Sequence, residues 1–212
     1  MKQLTFWFDP ISPFAYLAFE RLPQVLEGIS YCVRYRPVLF AGLLGRWGQK
    51  GPAEIEPKRA WTFRQVHWLA HQHGITLQTP AQHPFNPLPL LRLAVACADD
   101  GVAPNRHVCE RIFRHVWQGG GDANEPKRLA VLTQALAPRR DPNDAAVKQA
   151  LKDATDEAIA LGLFGVPTIE VDGRTFWGLD ALEMLADCLR GGAWFQGPGW
   201  LQAGESVPGV QR

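Results

Sequence analysis

The sequence has no Cys-x-x-Cys pair, no excess of either charge, and no apolar run approaching the roughly 20 residues that a membrane span requires. Its four cysteines, Cys32, Cys97, Cys109 and Cys188, stand far apart, which excludes a close-spaced zinc site or redox pair and leaves reduced, buried thiols as the expectation. Lys plus Arg number 22 against 21 Asp plus Glu, a net charge of +1, so no global field gathers phosphate backbones or anionic lipid. Neither nucleic acid nor a membrane is an expected partner. The N-terminus enters a strand-like segment directly and shows no export signal, so a cytoplasmic protein is expected. His67, His71 and His73 lack the H-E-x-x-H pattern, and no metal site is expected. What is present is a globular mix, 46% hydrophobic and 20% charged over 212 residues, enough to bury a core without staples.

Residues 4–8, Leu-Thr-Phe-Trp-Phe, form a short β-favouring run closed by Asp9-Pro10. Ser12 is a good N-cap, and Pro13 suits the first helical position because the N–H it lacks would have had no partner there. A helix is predicted from there to residue 26, ended by Gly28, followed by a strand over 29–36 and a stop at Pro37. A right-handed crossover makes the two strands parallel. Between 37 and 162 only helices and loops are predicted, with helical spacing over 61–73, 91–98, 108–117 and 147–161. Pro/Gly-rich joints are expected at 45–57, 80–89 and 119–126. Trp61, Phe63 and Trp68 are expected in the core. Strand chemistry returns at 168–171, with Asp172-Gly173 as a two-residue hairpin turn into 174–177, and Asp180 is expected to open a last helix ending at Gly191-Gly192. The tail from 193 onward, with Trp194, Phe195 and Trp200, has no role legible in sequence.

The order β-α-β, helical block, β-β-α is the thioredoxin layout with a helical insertion. The expected division is 1–37 plus 163–192 for the thioredoxin-like α/β part, 38–162 for an all-helical insertion and 193–212 for the tail. Asp9-Pro-Ile-Ser12-Pro-Phe-Ala15 stands where disulfide oxidoreductases of this fold place Cys-Pro-x-Cys, and Gly165-Val-Pro167-Thr resembles their cis-proline turn. With Ser12 and Ala15 in place of the cysteines, the site has no attacking thiolate, so a thiol must come from outside. The helix N-terminus favours a thiolate presented beside Ser12, which suits glutathione.

Residues 8–18, Phe-Asp-Pro-Ile-Ser-Pro-Phe-Ala-Tyr-Leu-Ala, with Phe164-Gly-Val-Pro-Thr168 and Phe176-Trp-Gly-Leu-Asp180, resemble the 2-hydroxychromene-2-carboxylate isomerase family, kin of DsbA-like proteins and kappa-class glutathione transferases. The resemblance implies a glutathione-dependent isomerase of aromatic degradation, acting on a small aromatic carboxylate as a homodimer. It implies that Ser12 is catalytic and hydrogen-bonds the glutathione sulfur. Val166 and Pro167 would hold the cysteinyl part, and Trp177, Gly178, Leu179 and Asp180 the γ-glutamyl end. In the substrate region Leu44 and Glu54 stand where isomerases carry a lysine and an asparagine, and His83 where they carry a tyrosine; Arg46, Lys50, Lys58 and Arg59 are the nearby cations. Two alternatives stay open: a kappa-like transferase that consumes glutathione, and a thioredoxin-fold binding module without catalysis. In each, Ser12 keeps at least its capping role.

Overall fold

A computed structural model describes residues 1–98 and 103–205. β1 (Lys2–Phe8) leads through α1 (Pro13–Val25) into β2 (Tyr31–Pro37), which pairs parallel to β1 from Lys2↔Tyr31 to Phe8↔Pro37. Pro37 ends the strand from within, in place of standing just beyond it. Helices then fill the chain up to residue 160: α2 (Phe40–Trp47), a short 3-10 turn at Pro52–Glu54, α3 (Glu56–Gln72), α4 (Leu88–Ala96), α5 (Arg106–Trp117), α6 (Pro126–Leu136) and α7 (Ala145–Ala160). β3 (Thr168–Val171) and β4 (Arg174–Trp177) form the hairpin, and α8 (Leu182–Leu189) follows. Asp172 and Gly173 both have positive φ, 51° and 74°, as a two-residue hairpin turn requires.

The sheet order is β2-β1-β3-β4, with β3 antiparallel to both neighbours. Strand alternation divides β1 between two layers. Leu4, Phe6 and Phe8 enter one core with residues of α1, α4, α5 and α8, while Trp7 enters another with Leu43 of α2 and Ala154 and Ala158 of α7. The first core is aromatic at its centre: Phe113 of α5 lies 5.3 Å from Phe8 and 5.1 Å from Phe19, ring to ring. Residues of the helical block thus share one core with the sheet.

Several expectations change. Helices α2 and α6 were not foreseen; each buries a single residue, Leu43 or Leu132. Trp61 and Trp68 are exposed, at 62% and 59%, because α3 buries only Val66 and Ala70. Cys32 is exposed and Cys188 half-buried. The tail folds as α9 (Ala193–Gln196) and α10 (Gly199–Ala203), whose Phe195 and Trp200 pack on Phe176 of β4 at 6.1 and 5.5 Å. It covers the end of the edge strand, where Arg174 also donates to the Phe195 carbonyl at 3.0 Å. No helix among the described residues is long and apolar enough to cross a membrane.

Candidate functional site

β1 runs into a loop, 9–12, whose shape is set from four directions. The Asp9 carboxylate accepts from the Ile11 N–H at 3.0 Å and from the Phe40 N–H of α2 at 2.9 Å, and the Asp9 carbonyl accepts from the Ser12 N–H at 3.1 Å. Nε1 of Trp117, at the end of α5, donates to the Pro10 carbonyl at 2.9 Å. His83 Nε2 donates to the Ile11 carbonyl, also at 2.9 Å. A carbonyl only accepts, so His83 carries its proton on Nε2, and its Nδ1 lies buried without a partner. Burial lowers the His83 pKa, the nearby Arg59 lowers it further, and the Ile11 carbonyl opposes them. Asp9 is fully buried, and that burial raises its carboxyl from 3.8 to about 7 despite the two N–H bonds.

This loop delivers Ser12 to the N-terminus of α1, where its Oγ accepts from the Ala15 N–H at 3.2 Å and donates to the Val166 carbonyl at 3.2 Å. The Val166-Pro167 peptide is cis, and the Gly178 N–H holds the Pro167 carbonyl at 2.9 Å. Serine, cis-proline turn and the segment after β4 are therefore linked in space as the motifs are in sequence. Beside them Phe164 and Trp177 form an exposed edge-to-face pair, 4.8 Å between centroids. Gly165 makes that pairing possible, since a Cβ there would collide with Nε1 of the Trp177 indole. Trp47 of α2 donates from Nε1 to the Leu163 carbonyl at 2.9 Å, tying α2 to the same turn.

The other predicted residues are placed differently. Helix α8 starts at Leu182 with Ala181 as its cap residue, so Asp180 stands before the cap and is exposed. Glu54 accepts from the Gly51 N–H at 2.6 Å and thus turns back on its own segment; Leu44 is half-buried on α2. His83 reaches the Ser12 loop through a carbonyl, which makes it a positioning residue there. Among the described residues no three His, Cys, Asp or Glu side chains gather in a group that could hold a metal ion.

A serine-capped helix facing a cis-proline turn on a β2-β1-β3-β4 sheet agrees with a family match over residues 3–190, to the model described as DSBA-like thioredoxin domain. The chain belongs to that family. Within the DSBA-like thioredoxin fold it is similar to the 2-hydroxychromene-2-carboxylate isomerase of Sphingobium xenophagum, 26% identical over 195 residues covering 89% of this chain and 98% of the relative. It is also similar to glutathione S-transferase kappa 1 of Rattus norvegicus, 24% identical over 205 residues covering 89% and 91%. Among solved structures, a 2-hydroxychromene-2-carboxylate isomerase superposes with a TM-score of 0.79 at 22% identity, covering 92% of this chain and 97% of that one. Against the DSBA-like framework, Asp9, Trp117 and Trp47 are the site residues that sequence reasoning missed. Only Asp9, inside the first motif, carried a local signal; Trp117 meets Pro10 across 107 positions of sequence.

Proposed function

We propose that the protein is a glutathione-dependent isomerase of the 2-hydroxychromene-2-carboxylate type. The observation that carries this reading is the Ser12 hydroxyl, held between the first turn of α1 and the carbonyl that precedes the cis-proline. No thiol stands at position 12 or 15, so sulfur chemistry at this site needs a small external thiol. A hydroxyl has one donor and two acceptor directions. Ser12 Oγ therefore goes on accepting from Ala15 when its proton turns from the Val166 carbonyl to a thiolate sulfur. The freed carbonyl then takes the N–H of the ligand's cysteinyl residue, so the exchange leaves no polar group unpaired. The α1 N-terminus, with roughly half a positive charge, adds to the stabilisation of the anion.

Asp180 is exposed and free to meet the γ-glutamyl ammonium, with Gly178 and Leu179 lining the approach. Phe164 and Trp177 offer an aromatic surface beside the sulfur position, on which a planar substrate stacks. Glutathione would supply a thiolate that adds to the substrate's conjugated carbon and leaves again after rotation about the former double bond, so it is not consumed. Ser12 orients the sulfur and holds it ionised, and the buried Asp9 and Trp117 contacts keep the loop from yielding.

A second reading, conjugation by a kappa-like transferase, is favoured by one feature. Leu44 supplies no cation where the isomerases carry a lysine, and Glu54, bonded to its own segment, stands where they carry an asparagine. One experiment separates the readings: following 2-hydroxychromene-2-carboxylate absorbance with and without glutathione while free thiol is counted. Conversion that requires glutathione and leaves the thiol count constant supports the isomerase. Loss of thiol in step with substrate supports the transferase. Conversion at the same rate without glutathione overturns both.

A further inference from the structure

Away from the 9–12 loop and the 164–180 segment, residues of α5 and α6 line an open surface cleft of about 560 Å³, a volume within the range of small-molecule sites. Arg111 and Arg114 come from α5, Lys127 and Arg128 from α6, and Val131 and Leu132 form the apolar side. No residue of the 9–12 loop or of the 164–180 segment lines it. In a chain whose net charge is only +1, this is a local concentration of cations. Arg114 is neutralised by Glu110 at 2.7 Å, with Glu20 at 3.8 Å. Among the described residues Arg111, Lys127 and Arg128 form no ion pair with a carboxylate.

Arg128 is nevertheless held firmly. Its guanidinium donates to the His115 carbonyl at 2.7 Å and to the Asp122 carbonyl, and it lies against Gly121, where a Cβ would come within 2.8 Å of its Cζ. Carbonyls orient the group without cancelling its charge. Packing accounts for Leu132, which is buried, but not for Val131, 65% exposed on the same helix face as the cations. Like charges gathered on two facing helices repel one another, and a bound anion relieves that cost.

We infer that the α5–α6 cleft is a second ligand site, which takes a small molecule bearing a phosphoryl dianion joined to an apolar or aromatic group. Three unneutralised cations exceed what one carboxylate requires, and guanidinium groups match phosphoryl oxygens in pairs. Val131 and Leu132 receive the apolar part.

The test is titration of the ¹⁵N-labelled full chain, without glutathione and at physiological salt, with phenyl phosphate, inorganic phosphate and benzoate in separate arms. Phenyl phosphate should give saturable shifts centred on residues 111–118 and 127–132, and should bind about tenfold or more tightly than either of the other two. Arg111→Gln and Lys127→Gln, each of a partly or fully exposed side chain, should each weaken phenyl phosphate about tenfold while leaving thermal unfolding and the Ser12-loop resonances unchanged. Non-saturable shifts, shifts centred on the Ser12 loop, or unchanged affinity in both variants would overturn the assignment. Equal affinity for inorganic phosphate and phenyl phosphate would overturn the amphiphilic ligand class, and equal affinity for benzoate the phosphoryl preference.

Discussion

Asp9→Asn tests whether the 9–12 loop rests on a buried carboxyl. Asp9 is 0% exposed, and its partners are the N–H groups of Ile11 and Phe40, with no cation in contact among the described residues. Burial raises its pKa from 3.8 to about 7. The folded state therefore holds a proton that the unfolded chain releases within that window, so this group's contribution to stability is complete below 3.8 and falls as pH rises to about 7. The full shift corresponds to about 4 kcal/mol, of which about 2.5 kcal/mol falls between pH 5 and pH 8. Asparagine cannot ionise, but its amide places a donor against one of the two N–H groups, which costs about 1–3 kcal/mol at every pH. Urea unfolding of both proteins at pH 5 and 8 reads the difference, since all other titrating groups are common to them. The stability of Asp9→Asn relative to wild type should rise by about 2.5 kcal/mol from pH 5 to pH 8. A difference that is constant across the two pH values would refute the reasoning.

Other contacts make separate predictions. Gly165→Ala should cost about 1–3 kcal/mol by driving the Trp177 indole aside, and the same change in a Trp177→Ala background should be nearly neutral; thermal unfolding of the four proteins forms the cycle. Trp117→Phe removes the donor to the Pro10 carbonyl and should lower stability by about 1–3 kcal/mol, with calorimetry showing weaker glutathione binding because the loop before Ser12 loosens. Asp180→Ala should weaken glutathione about tenfold without altering unfolding, since the side chain is exposed; unchanged affinity would remove Asp180 from the site.

What was legible in the sequence was local. β1, the α1 cap and the Asp-Gly hairpin are each specified within a few residues by a run of β-favouring apolar residues, by Ser-Pro and by a turn that needs positive φ. The pairing of Ser12 with Val166-Pro167 followed from motif order, although 154 positions separate the two residues. Helices α2 and α6 do carry helical spacing, Phe40, Leu43, Leu44 and Trp47 in the first and Leu129, Leu132 and Leu136 in the second, but α2 is short and holds Gly42 and Gly45, and α6 follows directly on a Pro/Gly-rich joint; without α6 the basic cleft cannot be seen at all. Trp61 and Trp68 misled in the opposite direction, because aromatic content says nothing about which face of α3 is covered. The supports of the loop, Trp117 on Pro10 and His83 on Ile11, are tertiary pairings whose partners are backbone carbonyls, and carbonyls leave no mark on residue type.

The central claim, that Ser12 holds the glutathione sulfur as a thiolate, is tested most directly by titrating far-ultraviolet thiolate absorbance of bound glutathione in the wild type and in Ser12→Ala. In the wild type the bound thiol should ionise below the free value of about 8.5, stabilised by the hydroxyl and the α1 N-terminus. Loss of a hydrogen bond to charge, about 1.5–3 kcal/mol, should raise that pKa by roughly one to two units in the variant, with binding retained and turnover reduced. The same bound-thiol pKa and the same turnover in both proteins would contradict the account and leave Ser12 as the cap of α1 alone.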